Sequence, residues 1–347
     1  MAAPEKKVSM QAIADKLGIS KSAVSIALAN KPGVSDDLRA SVLETAQGLG
    51  YSLRPANGRS SEAGRSGNIL VLIPEYISGD TFFYNEIYWS IEKEAKTRGY
   101  TAILTSVSKE SEALRTLPSI MSDLPFCGII IVGIFEVPYV EKLSTLGLPL
   151  LSVDHSYGGL PLDAVVTENI EGAYEVVRYL IERGHRKIGY IGSIQMTASL
   201  FERWCGYQKA LLEAGLAPDP EHSILQSTPL SDLLGNVDEI SQYLDRMQDF
   251  PTAWFCGGDR IAVALIHALF RRKLRVPEDI SVAGFDDLQA AQMIVPSLTT
   301  FRVRRSAMGI LAVDTLLDRL RLSGEKLKIS IYGEFVERNS VAAPRSL

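Results

Sequence analysis

The chain has 347 residues, enough for two or three domains, and its 46% hydrophobic and 22% charged content is that of an ordinary folded protein. A net charge of −5, from 36 Lys and Arg against 41 Asp and Glu, excludes a uniformly basic coat protein. Cys127, Cys205 and Cys256 form no CxxC pair, and no apolar run suits a signal peptide or a membrane span, so the expectation is a reducing, cytoplasmic location without disulfides or structural zinc.

Charge is uneven along the chain. Residues 1–66 hold nine Lys and Arg against six Asp and Glu, a balance of +3, and the remainder holds 27 against 35, a balance of −8. A basic head on an acidic body points to contact with a polyanion through the head alone, although chance also gives +3 over so short a stretch. The head reads as three helices. Ser9 caps a helix over 9–17 with Ile13, Ala14 and Leu17 on one face, and Gly18 supplies the positive φ that turns the chain. Ser20 caps a second helix, 21–29, with Val24 and Leu28 inward. Ser35 caps a third, with Asp36 and Asp37 in its first turn and Val42, Leu43 and Ala46 as its apolar stripe.

Ala14, Gly18 and Val24 suit a helix-turn-helix: a small residue where two helices cross steeply, Gly at the turn, and a branched residue that seats the second helix. A plain three-helix bundle is the bland alternative. If helix 21–29 is the reading helix, Lys21, Ser22, Ser25 and Ile26 face outward. Lys21 then reaches a guanine edge or a phosphate, or is a plain solvated lysine. The serines serve either role, and Ile26 makes apolar contact only.

The head resembles that of the lac repressor (LacI/GalR) family, and the resemblance continues through the body. It rests on Ala12-Ile13-Ala14, Leu17-Gly18-Ile19-Ser20, Ala23-Val24-Ser25, Leu28-Ala29-Asn30, Val34-Ser35, Arg39, Val42, Ala46 and Leu49-Gly50-Tyr51. It implies DNA contact by Ser20, Lys21, Ser22, Ala23, Ser25, Ile26, Asn30, Ser35 and Tyr51, with Ala23 and Leu38 standing where the family commonly has Thr. Segment 52–67 is a linker, rich in Ser, Gly and Arg, with Leu53 its one large apolar residue. There the family has a Pro-Asn pair and a hinge helix whose leucine wedges into the minor groove. This chain has Leu53-Arg54-Pro55-Ala56-Asn57-Gly58-Arg59, with no leucine at the expected place. Gly inside so short a helix costs ~1 kcal/mol, and a missing wedge forgoes a few kcal/mol of contacts. The expectation is a poorly ordered hinge, or an unusual use of Leu53 and Arg59.

From Asn68 onward strands alternate with helices. Strands are expected at Ile69–Pro74, Ala102–Ser106, Gly128–Val132, Leu148–Val153, Ala164–Thr167, Lys187–Gly192, near 223–226, Ala253–Cys256 and Ser281–Phe285. Helices are expected at 84–98, 170–183, 201–214, 236–248 and 259–272. Short, continuously apolar strands between helices imply parallel sheets covered on both faces, and their number implies two Rossmann-like lobes. The expected fold is therefore α/β: a small all-α head (1–51), a linker (52–67) and a two-lobed body (68–347). Lobe 1 takes about 68–166 and 300–326, lobe 2 about 167–299 and 327–341. The resemblance implies a periplasmic-binding-protein-like body whose chain crosses between lobes, with Ile331–Ser340 as the closing strand.

Ligands of such sheets bind at the carboxyl ends of strands. Asp286 follows strand 281–285, and Arg203 lies near the start of helix 201–214. Five fixed donors and a carboxylate suit a hydroxylated ligand, and the resemblance assigns both residues to the effector; an interlobe salt bridge is the alternative. Asp154 ends strand 148–153, and Ser199 precedes the Arg203 helix. Gly258 replaces the Asn of the family's Asn-Asp pair, which removes a contact or makes room for a larger ligand. Phe82, Phe83 and Tyr84 fall where the family places aromatic ring contacts, with core packing as the alternative for Phe82; Asp259 is read as a helix cap.

GxGxxG after a strand, GxxxxGK[ST], HExxH and GxSxG are all absent, so no enzyme, cofactor or metal is expected. The expectation is a DNA-binding transcriptional regulator, a repressor. It binds a pseudo-palindromic operator as a homodimer, without a tetramer-forming heptad tail, under control of a small polar effector. The rivals are a solute-binding protein with a vestigial head and a DNA binder that needs no ligand.

Overall fold

Apolar residues at helical spacing build the first unit. The structure, a computed structural model, describes residues 10–28, 33–48, 67–78, 83–160, 162–218, 220–225, 236–321 and 324–345, and the chain divides into Met1–Gly64 and Arg65–Leu347. Ser9, Asn30, Tyr51, Leu53, Arg59 and Phe82 lie outside the described residues, as does linker segment 52–66.

Helices α1 (Met10–Leu17), α2 (Lys21–Leu28) and α3 (Asp36–Gly48) enclose Ile13, Ala14, Val24, Ala27, Val42 and Ala46. Gly18 stands at φ +65 between α1 and α2, the left-handed conformation the turn requires. The fully inward pair on α2 is Val24 and Ala27, while Leu28, expected inward, is half-buried and packs against the same cluster from its edge.

The second unit holds three sheets among its described residues. Strands β1 (Asn68–Pro74), β2 (Thr101–Val107), β3 (Phe126–Val132), β4 (Leu150–Val153), β5 (Asp163–Thr167) and β11 (Lys328–Ile331) form a parallel sheet in the order β11-β5-β4-β3-β1-β2. Strands β6 (Ile188–Ile191), β7 (Ser223–Ile224), β8 (Ala253–Cys256) and β9 (Ser281–Ala283) form a second parallel sheet, β7-β6-β8-β9. An antiparallel pair, β10 (Thr300–Arg302) with β12 (Glu334–Val336), joins the second lobe through single bridges from Ala283 to Thr299 and from Asp286 to Arg302.

Side-chain alternation explains why β1 is apolar throughout. Ile69, Val71 and Ile73 pack towards α5 (Tyr84–Thr97) and α14 (Arg305–Arg319), while Leu70 and Leu72 pack on the other face with Tyr139, Val140 and Leu143 of α8 (Val137–Ser144). The remaining helices are α4 (Glu75–Ser78), α6 (Lys109–Ala113), α7 (Ile120–Asp123), α9 (Asn169–Glu182), α10 (Ala198–Glu213), α11 (Val237–Arg246), α12 (Asp259–Arg271) and α13 (Gln289–Met293). No helix among the described residues is long and apolar enough to cross a membrane.

Two sequence expectations are corrected. Residues 328–331, assigned to lobe 2, stand in the first sheet beside β5. The single closing strand over 331–340 is split: β11 ends at Ile331 and β12 begins at Glu334. Gly333 makes the break, because a Cβ there would lie 2.3 Å from the Arg302 carbonyl oxygen. Helix α14 was not anticipated. Its Gly309 replaces a side chain that would lie 2.6 Å from the Ile87 carbonyl oxygen, so α14 packs backbone-close on α5.

Candidate functional site

In the small unit, Ser20 is the cap of α2: its Oγ accepts from the Ala23 amide at 3.1 Å. Ser35 does the same for α3, accepting from the Leu38 amide at 3.3 Å. Both hydroxyls keep their own proton for another acceptor. Lys21, Ser22 and Ser25 are exposed, and Ala23 and Ile26 are half-buried, so α2 presents a polar outer face over the buried Val24 and Ala27. Arg39 reaches from α3 to the Ala27 carbonyl at 3.2 Å and ties α3 to the last turn of α2.

In the body, Arg203 is 6% exposed and fully engaged with the second lobe. Its Nη2 lies 3.1 Å from Asp286 Oδ1, its Nη1 donates to the Gly257 carbonyl at 2.5 Å, and its Nε donates to Asn169 Oδ1 at 3.0 Å. The guanidinium carbon sits 3.8 Å from the centroid of the Phe285 ring. Both ends of the Arg203–Asp286 pair belong to the second lobe, so the pair is not an interlobe bridge. A Cβ on Gly258 would meet Asp286 Oδ2 at 3.3 Å and no other atom within 4 Å, which leaves space beside that carboxylate.

Asp286 and Asp287 follow the end of β9 with φ +115 and +53, a run of positive φ that costs non-glycine residues energy. Arginines hold it in place. Arg305 Nη1 donates to the Asp286 carbonyl at 2.6 Å and its Nη2 to the Asp287 carbonyl at 3.3 Å. The Asp287 carboxylate takes Arg302 Nε at 2.7 Å and Arg338 Nη2 at 2.6 Å, which hold its carboxyl below the ordinary value despite burial.

Asp259 does not cap its helix as expected; the α12 cap position is Gly258. Its carboxylate is fully buried, accepting from the Leu288 amide at 2.7 Å and meeting the Thr300 hydroxyl at 2.6 Å. Burial, and then the Asp286 charge, push its carboxyl well above the ordinary value. Burial also raises Asp286, against the pull of Arg203, Arg305 and Arg260.

The remaining candidates stand on the first lobe, except Ser199. Tyr84 donates its hydroxyl to Asp154 Oδ2 at 3.0 Å, and Asp154 follows β4 directly at φ +70. Phe83 is buried in the first-lobe core, with the Arg305 guanidinium 5.6 Å from its ring centroid. Arg305 thus touches both candidate groups, Phe83 on one side and Asp286 on the other. Ser199 lies inside α10, which starts at Ala198 rather than 201 because Thr197 caps it; the two hydroxyls are 2.9 Å apart. Sequence reasoning did not find Asn169 or Arg305. Among the described residues, no group of three His, Cys, Asp or Glu could hold a metal ion.

Residues 177–341 match the periplasmic binding protein-like domain family. The HTH-type transcriptional repressor PurR of Escherichia fergusonii is 32% identical, over 95% of this chain and 96% of that protein. The HTH-type transcriptional repressor CytR of Escherichia coli K12 is 29% identical, over 91% of each. Among solved structures, a transcriptional regulator CelR–cellobiose complex superimposes with a TM-score of 0.70 at 23% identity, covering 96% of this chain and 99% of that one. The lac repressor dimer bound to operator and an anti-inducer gives 0.68 at 22% identity, covering 97% and 100%. At these identities the structural likeness establishes the fold.

Proposed function

Because the chain belongs to the lac repressor family of transcriptional regulators, we propose that it is a cytoplasmic, non-enzymatic repressor that acts as a homodimer on a pseudo-palindromic operator. Helix α2 enters the major groove of each half-site. Lys21, Ser22 and Ser25 contact base edges or phosphates, Ala23 and Ile26 make apolar contact, and Ser20 and Ser35 donate to phosphates. Asn30, Tyr51, Leu53 and Arg59 complete the proposed DNA set. One small head makes few contacts, so two half-sites are needed for tight specific binding.

The same reading makes the body a receptor for a small polar metabolite, a sugar or related compound. Phe83, Tyr84 and Asp154 serve from the first lobe, and Ser199, Arg203, Gly258 and Asp286 from the second. Coupling of ~1–3 kcal/mol between effector and operator is enough to change occupancy severalfold or more.

The observation that carries this reading is the Arg203–Asp286 pair, 3.1 Å apart at the carboxyl end of β9, in a chain whose first unit is a helix-turn-helix. The test selects genomic fragments on the purified protein at several salt concentrations. The selected fragment is then challenged with a panel of sugars, nucleosides and sugar phosphates, with Arg203→Ala as control. Expected are an enriched palindromic site and at least one compound that alters its occupancy through Arg203. Failure to enrich any fragment at any ionic strength, with or without the panel, rejects the proposal.

A further inference from the structure

The Arg203–Asp286 pair is tied to the first lobe at both ends. On the Asp286 side, Arg305 Nη1 donates to the Asp286 carbonyl at 2.6 Å, and Arg305 Nε lies 2.6 Å from Glu86 Oε2 on α5. On the Arg203 side, Nε donates to Asn169 Oδ1 at 3.0 Å, and Asn169 Nδ2 donates to Glu202 Oε2 at 2.8 Å. Glu202 Oε1 in turn lies 3.3 Å from Lys328 Nζ, on the edge strand β11 of the first sheet. The path from Lys328 to Glu86 leaves the first lobe, passes through the candidate effector pair and returns.

The chemistry of each link fixes the orientation of the next. Arg203 Nε–H only donates and the Glu202 carboxylate only accepts, so the Asn169 amide has one workable orientation. A third bond, from Nδ2 to the Thr167 carbonyl at 3.2 Å, pins it. Asn169 is 4% exposed, so water does not replace a lost partner easily. The two ties differ in exposure. At the Arg305–Asp286 contact between the lobes the two side chains are 10% and 15% exposed, although Glu86 behind Arg305 is 44% exposed, whereas Lys328 is 47% and Glu202 25% exposed. Salt and water reach the Lys328 tie and leave the Arg305 tie largely alone. The loop after β4 converges on the same place: His155, next to Asp154, feels the charges of both Glu202 and Lys328.

We propose that Lys328 is a positioning residue of the effector site: its ion pair with Glu202 holds the first lobe's edge strand to helix α10 and, through Asn169, sets the plane of the Arg203 guanidinium. Arg305 is the permanent tie and Lys328 the releasable one. When Lys328 lets go, α10 is free to leave β11, and the Glu202 carboxylate that meets the Asn169 amide is no longer held from the first lobe. The consequence for effector binding rests on the proposed role of Arg203 and Asp286; the tie itself does not.

The test measures lobe separation in the full-length protein without any ligand. Spin labels are placed at Lys142→Cys and Phe270→Cys, both exposed, one on each lobe, with Cys127 and Cys205 changed to Ser. The unmodified tie is expected to give a narrow distance distribution at low salt that broadens at about 1 M salt, where the Debye length is about 3 Å. Lys328→Met is expected to broaden the distribution at both salt concentrations, with the share of molecules at the intact protein's low-salt distance falling about two- to fivefold relative to the rest, and Lys328→Arg to restore it. A Lys328→Met distribution identical to that of the intact protein at low salt overturns the proposal.

A second arm uses the compound panel. For any compound that raises the melting temperature, Lys328→Met is expected to weaken binding about two- to fivefold, by release of an exposed pair, Lys328→Arg to recover it and Arg203→Ala to abolish it. Unchanged affinity in Lys328→Met overturns the link to Arg203. If no compound binds the intact protein, the effector reading fails, while the label distances still decide the tie.

Discussion

The Thr300 hydroxyl meets the buried Asp259 carboxylate at 2.6 Å, and the Leu288 amide closes on its other oxygen at 2.7 Å. With its carboxyl pushed well above the ordinary value of 3.8, Asp259 keeps a proton that the unfolded chain releases. The folded state then binds more protons than the unfolded state, so stability falls as pH rises from 3.8 towards the raised value. Asn at this position keeps both hydrogen bonds, accepting from Leu288 and donating to Thr300, and does not titrate. Asp259→Asn is therefore expected to flatten the decline of urea-unfolding stability as pH rises above 3.8. The slope does not vanish, because Asp286 titrates with the same sign. An equal slope in protein and variant refutes this account.

The close approach of α14 to α5 gives a second prediction. A Cβ at Gly309 meets the Ile87 carbonyl oxygen at 2.6 Å and Ser90 Cβ at 2.7 Å, both on a packed helix. Gly309→Ala is expected to destabilise the body by about 1–3 kcal/mol. Gly258→Ala, with only the Asp286 carboxylate nearby, is expected to leave body stability within about 0.5 kcal/mol. Thermal melts of the two variants decide it, and a milder effect at Gly309 than at Gly258 removes the packing argument.

The head offers a third. Ile13 is fully buried in the small core of α1, α2 and α3. Ile13→Ala removes about 2–5 kcal/mol, a large share of what so small a unit has. The variant is expected to lose DNA binding while the body melts as before. Retained binding to the selected operator contradicts it.

Two neighbours at the start of α2 separate capping from contact. Ser20→Ala is expected to cost the head about 1 kcal/mol of stability through the lost bond to the Ala23 amide. Lys21→Ala is expected to leave head stability alone. If Lys21 meets a phosphate, the logarithmic salt slope of binding shrinks by about 0.9; if it meets a guanine edge, sequence preference at one position relaxes instead. A variant with neither change shows Lys21 to be a solvated surface residue.

Much of the architecture was legible because it is written in local pattern. Continuous apolar runs such as Ile69–Pro74 read correctly as doubly covered strands, and Ser20 and Ser35 read correctly as caps because capping is settled within three residues. Arg203 and Asp286 were found as two positions, and the structure joins them. What escaped was polar and long-range. Asn169 and Arg305 have ordinary local surroundings, and their partners lie 34 and 219 residues away for Arg203 and Glu86 respectively. Helix α14 was missed because Gly309 sits within it and no side chain caps its start. Gly333 was the available signal for the break between β11 and β12.

The interleaving of lobes also constrains synthesis. The first sheet receives its edge strand from Lys328–Ile331, and the second lobe receives the Ser340 hydroxyl, which accepts from the Thr299 amide at 2.8 Å and donates to the Val282 carbonyl at 2.6 Å. A nascent chain halted on the ribosome before these residues emerge carries two unfinished lobes, each with backbone groups left open. Both lobes therefore close late in translation, and neither can satisfy its backbone before Ser340 has emerged.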